Sequence, residues 1–280
     1  MNAKQCGICG SAKLTFAFAE SNNGTNFEQY SCASCGVMQT IGDVAAVSPD
    51  YVRLTAEDLT EEHRAIQTKS KLQAFAQWRD LMRRYGKQSG AVVDIGCGVG
   101  GFLDYAKKAG FQAMGFDASS AQAHVAREQH DLVRNAISFA DYKEMLGGAL
   151  PPVQMVTMWD VFEHIRDPQA LLADVRSVME PDGLFYVSVP GGGLNQLKVN
   201  FRKILGKTPG LVPWEHVYYH VPRSLKKVLV DNGFEVLEIG GTAPYQRGPE
   251  FAERFRQVVQ KVIAPTSRAL QIYAVARPAK

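Results

Sequence analysis

The sequence lacks most of the features that announce a specialised protein. No apolar run among its 280 residues approaches the roughly 20 needed to span a bilayer. The opening residues, "MNAKQCGICG", contain no hydrophobic signal core. These two absences set the expectation of a cytoplasmic protein. Charge is nearly balanced, with 31 lysines and arginines against 28 acids and a net charge of +3. That excess is well short of what marks many dedicated nucleic-acid binders. No full Gly-x-x-x-x-Gly-Lys-Ser/Thr phosphate loop is present, since the single Gly206-Lys207-Thr208 has Phe201 where the first glycine belongs, so nucleotide hydrolysis lacks its cradle. There is no internal repeat and no low-complexity tract. What is left is an ordinary globular composition, 46% hydrophobic and 21% charged. The length suits one large domain, or a domain of about 200 residues with a small appendage.

Cysteine is scarce too, but its placement is informative. Four of the five cysteines form two Cys-x-x-Cys knuckles, Cys6/Cys9 in "CGIC" and Cys32/Cys35 in "CASC", with 22 residues between them. A glycine closes each knuckle, Gly10 and Gly36. Two thiolates on each of two tight turns complete a tetrahedron, which is the spacing of a zinc ribbon. A pair of disulfides fits a reducing cytosol poorly, and a redox dithiol needs only one such motif. The expected metal is Zn2+ in a structural role, because a segment of about 40 residues buries too little core to fold alone.

The expected division is a zinc ribbon over residues 1–45, a helical linker or lid over 46–88, and a main domain over 89–280. "VSPDYV" reads as linker. Residues 55–85 read as one or two amphipathic helices that bury Ile66, Leu72, Phe75, Ala76, Trp78, Leu81 and Met82 and stop at Gly86. Strand and helix then alternate. "AVVDIG", "FQAMGFD", "AISFAD", "VQMVTMWD", "LFYVSVP", "FEVLEIGG" and "ALQIYAVARP" read as strands, and a late helix is expected in "EFAERFRQVVQKVI". Such alternation over about 190 residues predicts an α/β fold, a mainly parallel sheet with helices on both faces.

The stretch "VVDIGCGVGG" ends the first strand of that sheet and spends four of its last six residues on glycine. A Gly-x-Gly turn there lets the backbone pass close under a ligand. Alone it would suit a dinucleotide or an adenosyl group. Asp94, two residues before Gly96, suits a ligand bearing an ammonium and a sulfonium better than a pyrophosphate. Asp117 ends the next strand, 23 residues after Asp94, where an acid can take both ribose hydroxyls. Cys97 within the loop reads as a small buried packing residue rather than a nucleophile.

Four blocks in order, "VVDIGCGVGGFLDYAKKAGFQAMGFDASS", "MVTMWDVFEHIRDP", "EPDGLFYVSVPGG" and "EHVYYHVPRSLKKVLVDNGFEV", resemble the successive motifs of class I S-adenosylmethionine-dependent methyltransferases. The resemblance covers roughly residues 70–240. It implies a Rossmann-like seven-stranded sheet with an antiparallel last strand, and S-adenosylmethionine as methyl donor. By the same resemblance Gly96, Cys97 and Gly98 would underlie the methionine part, and Asp94 would help hold its amino group. Asp117 and the adjoining Ala118 would meet the ribose, Asp141 the adenine amino group, and Trp159 with Asp160 would border the donor. Asp141 reads equally well as a helix cap for "YKEML".

Methyl transfer from a sulfonium needs positioning, and a base when the acceptor is a hydroxyl or carbon acid. The candidate catalytic residues are Glu163 and His164 after the fourth strand, with Glu215 and His216 after the fifth. His216 is the expected general base, with Glu215 or Glu163 as its partner. Capping and packing are the competing reading of His164. His220 reads as a turn-ordering residue, and Tyr218 with Tyr219 as packing. Sugar C-methyltransferases of antibiotic pathways resemble this chain in joining a four-cysteine zinc domain to the sheet and in their Glu-His pair. They usually add a C-terminal domain, which speaks against sugar C-methylation here.

Residues 191–214, "GGGLNQLKVNFRKILGKTPGLVPW", carry Lys198, Arg202, Lys203 and Lys207 and no acid. Their glycines suggest a mobile approach to the site. The segment reads as a solvated helix, as a clamp for an anionic acceptor such as a sugar nucleotide, or as a weak membrane dock through Leu197, Val199, Phe201, Ile204 and Leu205. The expected function is methyl transfer to oxygen or carbon of a small acceptor. The alternative is an RNA methyltransferase whose ribbon grips nucleic acid. Against it, the first 40 residues hold only Lys4 and Lys13 as cations, balanced by Glu20 and Glu28. No Asn-Pro-Pro-Tyr block, common in base amino-group methylases, follows the fourth strand.

Overall fold

A computed structural model describes residues 4–41, 55, 59, 61–148, 150–207, 209–242 and 269–280. The linker expected in "VSPDYV" and the late helix expected in "EFAERFRQVVQKVI" lie outside these residues.

Three antiparallel strands, β1 (Leu14–Asn22), β2 (Thr25–Cys32) and β3 (Met38–Ile41), follow the first knuckle. Helix α1 (Glu61–Arg84) leads into the alternation. It runs β4 (Gly90–Ile95), α2 (Gly101–Lys108), β5 (Phe111–Asp117), α3 (Ser120–Arg127), β6 (Val133–Asn135), α4 (Phe139–Met145) and β7 (Val153–Trp159). A single 3-10 turn, Phe162–His164, precedes α5 (Pro168–Val178), β8 (Met179–Pro190) and α6 (Gly192–Ile204). Then come β9 (Tyr218–Tyr219), α7 (Pro222–Asp231), β10 (Phe234–Gly241) and β11 (Gln271–Pro278).

The main sheet has seven strands in the order β10-β11-β8-β7-β4-β5-β6. The pairs β4/β5, β5/β6, β4/β7 and β7/β8 are parallel. Strand β11 is antiparallel to both of its neighbours, as the resemblance implied. From β4 the chain winds outward to β5 and β6, then returns to β7 on the other side. The carboxyl ends of β4 and β7 therefore flank the point where strand order reverses, the usual seat of a ligand in an open α/β sheet.

Alternation along the strands supplies two apolar faces. One face buries Phe139 and Tyr142 of α4, Leu172 and Val175 of α5, and Leu225, Val228 and Leu229 of α7, together with Val93 and Ile95. The other buries Phe75, Trp78, Leu81 and Met82 of α1 and Phe102, Leu103 and Ala106 of α2, together with Val92 and Tyr186. Aromatic edges lock the second face: the rings of Trp78 and Phe102 lie 4.8 Å apart at 85°. Only the second half of α1 packs in this way. Ile66 and Leu72, expected on its buried stripe, are exposed. The helix closes where Gly86 takes a φ of +77° and Lys87 N–H reaches back to the Met82 carbonyl at 2.9 Å.

Two sequence expectations shift. The strand expected in "AISFAD" is Val133–Asn135, and residues 139–141 instead start α4. Ser138 is the N-cap and accepts from Asp141 N–H at 3.1 Å. Gly191 and Gly192, expected to give a mobile approach, stand where close approach of neighbouring backbone requires glycine. A Cβ on Gly191 would lie 1.8 Å from the Ala269 carbonyl oxygen, and one on Gly192 2.5 Å from that of Tyr219.

The ribbon strands form a four-stranded sheet in the order β1-β2-β3-β9, and β9 comes from the far end of the chain. Met38 pairs with Tyr219 and Gln39 with Tyr218. The buried cysteines Cys6, Cys32 and Cys35 join the same core cluster as Val217 and Tyr218.

Candidate active site

The loop after β4 is held on a backbone frame. Gly96 and Cys97 N–H groups both donate to the Phe116 carbonyl, at 2.8 and 3.1 Å. Gly96 and Gly98 have φ of +70° and +55°, and a Cβ on Gly96 would lie 2.4 Å from Val161. Asp117 is 1% exposed; its carboxylate accepts from Gly98 N–H and Ser119 N–H, each at 2.8 Å. Ala118 is partly exposed beside it. Its carbonyl accepts from the Asn135 side chain at 3.0 Å.

Asp94 is 2% exposed and accepts from Thr157 Oγ1 at 2.7 Å. Burial pushes its pKa up to about 8, against the opposing pull of Thr157 and the Lys71 charge. A buried carboxyl beside a glycine turn is poised to become a carboxylate when a cationic ligand arrives. Cys97 is buried and its thiol is held well up by desolvation, which fits packing and not nucleophilic attack.

After β7 the backbone turns sharply. Asp160 has a φ of +58°, a left-handed conformation uncommon outside glycine. Its N–H donates to the Ser188 carbonyl at 2.9 Å. Its side chain accepts from Lys71 Nζ at 2.9 Å and from Gln271 Nε2. Lys71 thus brings α1 over the mouth of the switch point, a contact that the polar pattern of α1 did not reveal. Trp159, the other residue expected to border the donor, is buried. Its ring packs in the aromatic core, 5.0 Å from Phe75 and 4.7 Å from Tyr186, because successive residues of a strand face opposite sides.

The sharp turn delivers a second cluster. Glu163, His164 and His216 place one ligand-type atom each within 4.8 Å of one another. Glu163 is 2% exposed, and neither carboxylate oxygen has a hydrogen-bond partner among the described residues. Burial raises its pKa well above the ordinary range, and the Asp160 charge adds to this. His164 Nδ1 faces the Glu215 carbonyl at 2.7 Å. Its ring lies 4.8 Å from that of His216 at 78°. Burial and the neighbouring His164 lower the His216 pKa to about 4, so both imidazoles are neutral at pH 7. Glu215 contributes its backbone carbonyl to this cluster, and its charge also acts on His164. His220 is fully buried, stacks on Phe162 at 5.4 Å and faces Ser224, as a turn-ordering residue does.

Asp141 lies in the first turn of α4. It is exposed and accepts from Ser138 Oγ at 2.8 Å, the third residue of a capped helix start. It is a helix-start residue, though not the cap itself.

The four ribbon thiols are free and lie within 4.8 Å of one another. Two cross-knuckle pairs, Cys6/Cys35 and Cys9/Cys32, are each 3.6 Å apart. Sulfurs bound to one zinc at about 2.3 Å stand about 3.8 Å apart in a tetrahedron, so these residues fit the ion. The ribbon also reaches the second cluster: Thr40 N–H donates to the Val217 carbonyl at 2.8 Å.

Comparison with known proteins decides the family. A family described as "Methyltransferase domain" matches residues 69–239. The chain belongs to this methyltransferase family. Curated relatives include the ubiquinone biosynthesis O-methyltransferase of Caulobacter vibrioides, 28% identical over 56% of this chain and 64% of that protein. The enzyme of the same name from Cereibacter sphaeroides is 30% identical over 60% of this chain and 66% of its own length. The chain thus spans just under two thirds of these relatives. A Listeria monocytogenes structure, solved as a candidate S-adenosylmethionine dependent methyltransferase, covers 75% of this chain and 99% of its own with a TM-score of 0.51. At 16% identity that likeness speaks to the fold. The methyltransferase match begins inside α1 and leaves the ribbon outside it.

Proposed function

We propose that this methyltransferase moves a methyl group from S-adenosylmethionine to an oxygen or carbon of a small acceptor. The observation that carries the reading is the buried Asp94 beside the Gly96–Gly98 turn, at the strand-order switch, with Asp117 held one strand away. Asp94 is suited to the donor's ammonium, Asp117 and Ala118 to its ribose, and Asp160 to the border between donor and acceptor. Bound there, the donor supplies an electrophilic methyl group on a sulfonium.

This chain's own residues then have three tasks. The glycine turn holds its N–H frame fixed, so that no side chain blocks the approach. Phe75, Phe102 and Trp159 pack with Cys97 of that turn in one buried cluster, which supports the loop from behind. Glu163, His164 and His216 face the acceptor and handle its proton, His216 being uncharged at neutral pH and so free to offer a lone pair. The ribbon, residues 1–45, is assigned a structural Zn2+ on Cys6, Cys9, Cys32 and Cys35. Its free thiols suit a reducing compartment, in keeping with a cytoplasmic location. No helix among the described residues is long and apolar enough to cross a membrane.

Two features refine the choice of acceptor. Lys4 of the ribbon is already paired with Glu28 at 2.7 Å, which leaves little free charge for a phosphate backbone and weighs against RNA. Helix α6 buries Val199 and turns Leu197, Phe201 and Ile204 outward, and Lys198 Nζ donates to the Gly210 carbonyl at 3.1 Å. Lys198 is therefore engaged in the fold, and an anionic acceptor would be met by Lys207 instead. The test is His216→Ala: donor binding stays within about twofold while methylation of a small-molecule pool is lost. Loss of donor binding in that variant would contradict the assignment of His216 to the acceptor side.

A further inference from the structure

The face of α1 that meets the glycine turn changes character halfway along the helix. Phe75, Trp78 and Met82 lie on one stripe, at steps of three and four residues, and are buried in the core. Continued toward the start of the helix, the same stripe reads Lys71, Thr68 and Arg64. We propose that this polar first half of α1 is a strap that closes over the S-adenosylmethionine site, and that Arg64 is the positioning residue that fastens it. The inference deepens the proposed function and rests on its placing the donor at the Gly96–Gly98 turn.

Each strap residue touches a different side of that site. Lys71 Nζ donates to Asp160 at 2.9 Å, and its charge reaches Asp94. Thr68 packs so closely on Gly101 that a Cβ there would lie 2.4 Å from its Oγ1. Arg64 Nη2 donates to Asp104 at 2.9 Å and to Gln129 at 2.8 Å. Before the helix, Leu59 packs in one apolar cluster with Val99 of the loop and with Ala121 and Val125 of α3. The strap therefore runs from α3, over the glycine loop, to the end of β7, and ten helical steps cover about 15 Å of that path.

The donor's expected anchors are closed in beneath it. Asp94, Asp117 and Val99 are each at most 3% exposed. A donor reaches these groups only when the cover lifts.

The first half of α1 is the part suited to lift. The second half is held by apolar packing, which is costly to undo. The first half relies on polar pairs, which exchange for water at small net cost, and it turns Ile66 outward. Arg64 is its firmest link. It is 8% exposed, so its ion pair is little screened by salt. Asp104 also stands 2.9 Å from His130 Nε2. The His130 ring in turn lies 3.2 Å from where a Cβ on Gly100 would stand, so the fastening is tied to the loop below it. Arg64 and Thr68 precede residue 69, where the match to the methyltransferase family begins, so the strap side of this fastening is added to the shared domain.

The test is Arg64→Ala in the full, zinc-loaded chain. Asp104 keeps His130 as a partner, so the variant strands no carboxylate. A fastening that acts alike on the free and the occupied site slows entry and exit together. Association and dissociation of S-adenosylmethionine, followed by stopped-flow fluorescence, should each quicken by about tenfold or more in the variant, with Kd held within about threefold. Arg64→Lys, which keeps the charge without the planar fork, should fall between. Hydrogen exchange should quicken over residues 61–71 and hold steady over 74–84, which also verifies an intact core. A rise in Kd with association unchanged would make Arg64 an ordinary part of the site wall. Unaltered rates would remove it from donor exchange, and exchange quickened along the whole helix would make it a general stabiliser. Each of these results overturns the proposal. A parent chain that does not bind S-adenosylmethionine would sink the functional reading instead, and the exchange contrast between the two halves of α1 would still decide whether Arg64 fastens the strap.

Discussion

Thr40 of the ribbon and His216 of the acceptor cluster share a hydrogen bond across 176 residues: Thr40 Oγ1 stands 3.0 Å from the His216 carbonyl. The same hydroxyl is 3.0 Å from the Pro213 carbonyl and accepts from Gln29 Nε2. Thr40 N–H reaches the Val217 carbonyl at 2.8 Å, and the next residue inward, Gln39, receives Gly7 N–H of the first knuckle at 2.9 Å. The ribbon therefore fixes the backbone that carries His216.

Thr40→Val removes that hydroxyl and keeps the shape. It leaves buried partners unsatisfied, so unfolding free energy should fall by about 1–3 kcal/mol. Turnover should fall roughly ten- to hundredfold, because small misplacements of reacting groups are costly. Donor affinity should not move. Calorimetry for donor binding, beside single-turnover rates, checks the split. Equal loss of both would mean a general packing defect.

Replacing one knuckle ligand, Cys35→Ser, should abolish the ribbon zinc as read by elemental analysis. Because β3 and β9 share one sheet, turnover should be lost with it. The donor loop belongs to the other sheet, so S-adenosylmethionine should still bind within a few-fold. Retained turnover in a zinc-free protein would show that the ribbon does not support the acceptor side.

Asp94 gives the pH dependence a definite sign. Its pKa is about 8 when folded and unliganded, against about 3.9 unfolded. Between those values the folded state holds a proton that the unfolded state has lost. Stability of the unliganded protein should therefore decline from about pH 4 to pH 8, and Asp94→Asn should remove that slope. Donor affinity runs the other way. A cationic ligand favours the carboxylate, so binding should weaken as pH drops below about 8. Thermal melts and isothermal titration across pH 5–9 in both proteins check this.

Gly96→Ala combines a φ of +70° with a Cβ 2.4 Å from Val161. The strain should cost about 1–3 kcal/mol of stability and weaken donor binding more than tenfold. Gly110, also at positive φ but with nothing within 4 Å of its added Cβ, is the control. Gly110→Ala should leave donor binding unchanged.

The parts of this site that could be read from sequence are those made by neighbours in the chain. Asp94, Gly96, Gly98 and Asp117 sit at strand ends whose apolar runs and glycines are local signals. The strand misplaced at 136–141 shows where local reading fails. Ser138 and Asp141 make a helix start, and the apolar residues around them mimic a strand. Strand alternation sends the Trp159 ring into the aromatic core, an orientation that its place beside Asp160 in the chain does not show. Contacts made over long separations left no pattern to find. Thr40 with His216, β3 with β9, and Lys71 with Asp160 each join segments far apart in sequence. The unpartnered Glu163 is of the same kind, since burial of its carboxyl is set by tertiary packing.

The central claim is methyl transfer from S-adenosylmethionine to a small molecule. Methyl-labelled donor, the purified zinc-loaded protein and a cell extract divided into small-molecule, RNA and protein fractions test it most directly. The account predicts label in the small-molecule fraction, absent when His216→Ala is used in place of the parent chain. Label in RNA, or none in any fraction from a protein shown to bind the donor, would contradict it.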